Sequence, residues 1–419
     1  MKIRDLTPVP QFGVGGTDLG IPVRMPTGEI GFFFGDTFAE NRVGGPGWRS
    51  PVLLYSHTHD LDDGVRFHRA AGGNPAKQLW DYPHNNPEFS TVLPTDAIVI
   101  GSRIYLHVLV VRGLPDTRWT EIQYSDDNGE TWTHGGPKAR WEGWEFGGHR
   151  RMLTWERGGD GFVYVMTTGG LERDKNVLLF RCPEDQLLNR DIYEPWGFRH
   201  GAWAWGNPPT PILPVGSKVG ELCLRRMQNN WVLSYFNEAE YNITIRVVGQ
   251  ITDNWHTAPT FRPVRGPSGN GGPDVVTRLY GGYVHPDSTF DNFHIIVSEW
   301  AESGWPYRAM QFRVQVQPAV PIEEDEHMSA REVAAAFRDD HPVALYDGAG
   351  RKLDLREAIA EILWKEVTNL GLEGRPVPAD RRDDQFGHIL SSHALAEQNN
   401  KLLRALCEKA GIDVNQILT

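Results

Sequence analysis

The chain has 419 residues, a length that suits one large domain with a smaller one attached. Its formal net charge of -12 is spread without a basic block, which argues against a nucleic-acid groove or an anionic membrane surface as a partner. No apolar run reaches the roughly 18 residues of a membrane span. The opening residues lack the apolar core and cleavage site of a secretory signal. Cys182, Cys223 and Cys407 give neither a disulfide framework nor a metal cluster. Synthesis and folding in a cytoplasm are therefore expected.

In chain order, residues 13–20 read as a glycine-rich loop that holds Asp18. An apolar strand over 28–34 follows, closed by Gly35, Asp36 and Thr37. Residues 97–100 and 104–111 flank a Gly101-Ser102 turn and predict a hairpin. Further hairpins are predicted over 151–166, over 221–236 with a following strand at 241–248, and over 280–316. These units begin near residues 30, 97, 151, 220 and 283, a spacing of about 54 to 69, with no amphipathic helix among them. Regular units of that size predict an all-β five-bladed β-propeller over residues 1–317, with a β-sandwich or β-helix as the competing architectures. Ser125-Asp-Asp127-Asn-Gly129-Glu-Thr131-Trp132 fits the turn known as an Asp box, in which Asp127 gathers backbone N–H groups and Gly129 supplies a positive φ. Its meaning is structural.

After Val316 the texture changes. Residues 318–328 form a Pro-containing acidic linker, and Ser329 to Glu332 reads as a capping box. A short hairpin at 343–346, with Asp347-Gly348 at its turn, precedes a helical pattern through Leu355, Ile359, Ile362, Leu363 and Val367. Phe386, Ile389, His393, Ala396, Asn400, Leu403, Cys407 and Ala410 then recur by threes and fours. Residues 329–419 are thus expected to form a small, mainly α-helical extension. It either packs on itself or joins copies of the chain, for example as a trimer.

Glycosidic hydrolysis needs one acid to protonate the leaving oxygen and one carboxylate to activate water or attack the sugar. Asp18 and Asp36, each beside glycine, suit that pair; the competing reading is two Asx turns. His57-Thr-His59-Asp60 has the look of a metal triad, but no second cluster completes it. No serine lies in a nucleophile elbow, and the glycine-rich stretch lacks the Lys-Ser/Thr of a phosphate loop. Polar residues near strand ends are candidates for the rim of an axial cleft: Trp48, Arg49, Ser50, Glu88, Thr95, Asp96, Glu221, Tyr280 and His285. The 15 tryptophans either fill the layers between blades or stack on sugars.

Several motifs occur in an order that resembles a known family. They are Val14-Gly-Gly-Thr17-Asp18-Leu-Gly20, Phe34-Gly-Asp36-Thr-Phe38, Trp48-Arg49-Ser50, Thr91-Val-Leu-Pro-Thr95, the Asp box, Val219-Gly-Glu221 and Tyr280-Gly-Gly-Tyr-Val-His285-Pro286. The family is that of bacterial and phage endo-D-arabinanases, five-bladed-propeller glycoside hydrolases long filed as a domain of unknown function. The resemblance covers residues 10–316. It implies endo-hydrolysis of α-D-arabinofuranosyl linkages in mycobacterial arabinogalactan and lipoarabinomannan. Asp18 and Asp36 would be catalytic, with Glu221 as a third acid, and inversion would be the expected outcome. Thr17, Trp48, Arg49, Glu88, Thr95, Tyr280 and His285 would contact the arabinan. No cofactor or metal is implied; a structural calcium ion is compatible with such propellers, but no residues indicate one. The 318–419 extension loosely resembles the end of minor tail proteins of actinobacterial phages. This implies a tail-borne depolymerase in the virion, made in the host cytoplasm, with residues 329–419 joining copies or other tail proteins. The alternative is a non-catalytic tail adhesin that binds cell-wall glycan.

Overall fold

The structure is a computed structural model. It describes residues 1–320 apart from Val215 and Glu302, together with two short paired strands at Leu345–Tyr346 and Lys352–Leu353. A first compact unit spans Met1–Ile322 and a second Glu323–Thr419. The helices expected within 329–419 lie outside the described residues. In the second unit, Leu345 pairs with Leu353 and Tyr346 with Lys352.

The first unit is an all-β, five-bladed propeller. The first blade holds β2 (Gly16–Arg24), β3 (Ile30–Phe38), β4 (Val52–Ser56) and β5 (Phe67–Ala70) in that order. The second runs β6 (Thr91–Ile100), β7 (Arg103–Arg112), β8 (Asp116–Ser125) and β10 (Arg140–Glu142), with β9 (Thr133–His134) also on β8. The third is β11 (Met152–Arg157), β12 (Phe162–Thr168), β13 (Leu178–Pro183), β14 (Glu194–Arg199) and β15 (Ala202–Trp205). The fourth comprises β16 (Val219–Met227), β17 (Asn230–Asn237), β18 (Asn242–Val248), β19 (Thr260–Arg265) and β20 (Asp274–Val275). The last combines β21 (Leu279–Val284), β22 (Phe293–Trp300) and β23 (Tyr307–Val314) with the N-terminal β1 (Lys2–Asp5). β1 pairs antiparallel with β23, Lys2 opposite Phe312 and Asp5 opposite Met310, so the two ends of the unit share one sheet.

The strands are continuous apolar runs because each blade is covered on both faces by its neighbours. Ile30, Phe32, Phe33 and Phe34 of β3 are all fully buried. The innermost strands β2, β6, β11, β16 and β21 neighbour one another in turn and close a ring around the axis. Partway along that axis a buried ion pair bolts blades together: the Arg225 guanidinium of β16 donates to both oxygens of Asp96 on β6 at 3.0 and 3.1 Å. Thr154 of β11 also donates to Asp96, and Thr154 accepts the Leu224 N–H at 2.7 Å.

The Asp box staples the second blade to the first. Asp127 accepts from the Thr131 N–H at 2.8 Å, Gly129 has φ +92°, and the Trp132 indole donates to the Gly129 carbonyl at 3.0 Å. The Trp132 ring meets Phe33 edge-on at 5.8 Å.

Candidate active site

The mouth where the innermost strands begin, and where β3 ends, gathers the acids. Asp18 is not in a loop: it lies within β2, at an irregularity where Thr17 pairs with Thr37 but Leu19 pairs with Phe34. Asp18 alone therefore faces the pair Gly35 and Asp36, a bulge that re-aims its side chain. Leu19 takes φ +61°, an unusual value for a branched residue, and its N–H is held by the Ser298 hydroxyl at 2.9 Å. A Cβ on Gly35 would lie 2.4 Å from Asp18 Oδ1, so glycine at this position makes the room for the carboxyl. Thr17 is fully buried and shares a hydrogen bond with Thr37 at 2.7 Å; it supports the bulge from beneath.

Asp18 is buried, and its Oδ2 accepts from the Tyr280 hydroxyl at 2.9 Å, while Oδ1 has no partner. Burial, followed by the charge of Asp36 and then that of Glu221, pushes its pKa up to about 8 against the opposing hydrogen bonds of Tyr307 and Tyr280. Asp18 is therefore a neutral acid at pH 7. Burial raises Asp36 too, but this carboxyl keeps some contact with solvent and is served by donors. Its Oδ1 accepts from Thr91 at 2.6 Å and from the Trp48 indole at 2.8 Å. The two carboxyls are coupled, so they release their protons in two steps that belong to the pair.

The third acid, Glu221 on β16, is buried and takes Arg173 at 3.2 Å. Arg173 also binds Glu238 at 3.1 Å. Trp48 stacks on His84 with ring centroids 3.8 Å apart and remains 37% exposed. The structure thus brings Asp18, Asp36, Glu221, Trp48 and Tyr280 to one mouth. Arg49 instead spends its guanidinium on the carbonyls of Gly13 and Ala76, bracing the loop beside Asp36. Glu88 stands exposed on a loop. Thr95 is buried and bonded to His107 at 2.6 Å. His285 follows β21 at the end away from Tyr280, fully buried against Phe32, and burial lowers its pKa to about 3.

Sequence reasoning missed Tyr307, Thr91 as a donor, His84 and Arg173. Each is placed by a loop or register that no local spacing encodes. Among the described residues, Glu29, His57 and His68 bring three potential ligand atoms within 4.8 Å of one another. Both Glu29 oxygens already take Arg69, at 2.8 and 2.6 Å, so the guanidinium neutralises this carboxylate. His59, its expected companion, faces Asp287 at 3.8 Å instead.

These features define a five-bladed propeller with a cluster of acids at its axial mouth. The chain belongs to the family described as a domain of unknown function, DUF4185, which matches residues 7–313. It is 30% identical over 329 residues to an uncharacterised 35.9 kDa protein of Mycolicibacterium smegmatis, covering 74% of this chain and 95% of that protein. It is also 30% identical over 323 residues to notoamide biosynthesis cluster protein J' of Aspergillus versicolor, covering 70% of this chain and 83% of the relative. Among solved structures, one from Bacteroides ovatus shares the fold with a TM-score of 0.50 at 12% identity, over 72% of this chain and 86% of that one.

Proposed function

We propose that this protein is a glycoside hydrolase, an endo-D-arabinanase acting on α-D-arabinofuranosyl linkages of mycobacterial arabinogalactan and lipoarabinomannan. The observation that carries the reading is a pair of carboxyls facing each other across a bulge at the mouth of a propeller, Asp18 held by Tyr280 and Asp36 by Thr91 and Trp48, with burial raising the pKa of both. A coupled pair whose pKa values are raised can give one proton and take another, which is the division of labour this hydrolysis requires. The substrate assignment is supported by the ordered motifs and by the mycobacterial relative.

In the proposed step Asp18 gives its proton to the glycosidic oxygen as the bond from that oxygen to the anomeric carbon breaks. Asp36 takes a proton from water as the water oxygen bonds the same carbon from the opposite face. The anomeric configuration inverts, and proton exchange with solvent resets the pair. Tyr280 and Tyr307, whose own pKa values burial raises far above neutrality, remain hydrogen-bond donors throughout the cycle. As Asp18 loses its proton, the Tyr280 bond steadies the new charge.

We further propose that the enzyme works on a phage tail, with residues 329–419 joining it to copies of itself or to tail proteins. The test is product analysis on purified arabinogalactan. Release of reducing oligosaccharides is expected, with loss of at least roughly 10²-fold in Asp18→Asn and in Asp36→Asn. Saturable binding without products would overturn catalysis in favour of an adhesin.

A further inference from the structure

The connection from the second blade to the third, residues 143–151, enters the same mouth, because it leads directly into the innermost strand β11. It carries two large aromatic side chains into solvent: Trp144 is 76% exposed and Phe146 57%. Phe146 holds φ 51° and ψ 32°, a left-handed backbone that a bulky residue rarely adopts. Strain of this kind persists only where the surroundings enforce it, and such positions cluster at ligand sites.

Here the enforcement is visible. Arg190 grips Glu145 at 2.8 and 3.1 Å, Glu145 accepts the Glu142 N–H at 2.8 Å, and Arg151 donates to the Gly143 carbonyl at 2.8 Å. The Arg150 guanidinium lies 4.0 Å over the Phe146 ring and 4.5 Å over Phe180, so a cation backs one face of Phe146. The frame is also tied to the acids. Arg151 pairs with Glu172, and the next residue, Arg173, pairs with Glu221.

We infer that Trp144 and Phe146 form a distal glycan subsite, stacking on sugar rings of the polymer remote from the bond that is cut. This rests on the glycosidase reading above and names an element of that site which makes the enzyme prefer polymer. The occupant is a neutral polysaccharide chain rather than an ionic ligand. Glu145 and Arg151 are consumed in Glu145–Arg190 and Arg151–Glu172, and the Arg150 guanidinium is spent on the rings of Phe146 and Phe180, leaving the Trp144 ring and the uncovered face of Phe146 as the loop's recognition groups.

The experiment compares the parent with Trp144→Ala and with the Trp144→Ala/Phe146→Ala double variant, on soluble arabinogalactan and on a short arabino-oligosaccharide. Selectivity for polymer over oligosaccharide, as the ratio of kcat/KM values, is expected to fall roughly tenfold in the double variant, the size of an aromatic stacking contact. Trp144→Phe should retain most of it. An unchanged ratio would overturn the subsite. Affinity electrophoresis in arabinogalactan gels separates this proposal from the catalytic reading. Retardation of the Asp18→Asn protein that is lost on adding Trp144→Ala supports the subsite even if the parent cleaves nothing. Equal retardation of both proteins refutes it.

Discussion

Gly35→Ala puts the placement of the acid to a direct test. The added methyl would stand 2.4 Å from Asp18 Oδ1 and 3.1 Å from Leu19 Cδ1, the first roughly 1 Å inside van der Waals contact. The backbone has little freedom to yield. Gly35 lies inside β3 between residues paired with β2, and Leu19 is pinned by Ser298. The carboxyl is the softer partner, so it should rotate by about 1 Å and give up its bond to Tyr280. Misplacement of that size costs about 10²-fold in rate, while overpacking costs about 1–3 kcal/mol of stability. The assay is kcat for release of reducing ends, alongside thermal unfolding by circular dichroism. A folded variant that kept more than half of the parental kcat would refute the claim that Gly35 sets the position of the acid.

Tyr280→Phe removes a donor to the ionised form of Asp18, so the pKa of that acid should rise above about 8. The alkaline limb of the rate profile should then move up by about one pH unit; a downward move would count against Asp18 as the proton donor. Asp18 also makes a stability prediction. A carboxyl whose folded pKa is raised binds its proton more tightly in the native state, so the fold loses stability as pH climbs from the unfolded pKa near 4 towards about 8. Asp18→Asn should therefore be more stable than the parent at pH 8, by on the order of a few kcal/mol, and the gap should close towards pH 4. Urea unfolding at the two pH values measures it, and equal gaps would contradict the reading. Arg225→Met leaves Asp96 buried without its cation and should cost about 3–5 kcal/mol; a loss below about 1 kcal/mol in urea unfolding would show that the axial bolt is dispensable.

The blades were legible because their central strands are long apolar runs broken by glycine turns, as at Gly101 between β6 and β7. The outer strands were not. β14 and β15 are only 6 and 4 residues long, and their alternating rings, Trp196 with Phe198 and Trp203 with Trp205, stand partly exposed rather than in a buried apolar run. Asp18 read as part of a glycine-rich loop because Gly16 and Gly20 are turn residues by composition. In the fold they serve a bulged strand, where Gly20 has φ +71° and a Cβ added to it would stand 3.1 to 3.3 Å from Phe34, Ile296 and Leu6. The donors to the acids come from across the ring: Tyr280 is 262 residues from Asp18, and Thr91 is 55 from Asp36. Only the closed propeller creates those neighbours.

The pairing of β1 with β23 also sets a schedule for biosynthesis. Residues Lys2–Asp5 leave the ribosome well before their partners, Met310 to Phe312, which emerge some three hundred residues later. At translation rates of roughly 5–20 residues per second, the first strand waits tens of seconds for its place. Until then the nascent propeller carries an unpaired first strand and an unfinished last sheet, both open to pairing with neighbouring chains. Tyr307, which faces Asp18, arrives with the same last strand. Assembly of the acid pair's surroundings and closure of the ring are thus a single late event, and a chain cut short of β23 would lack both.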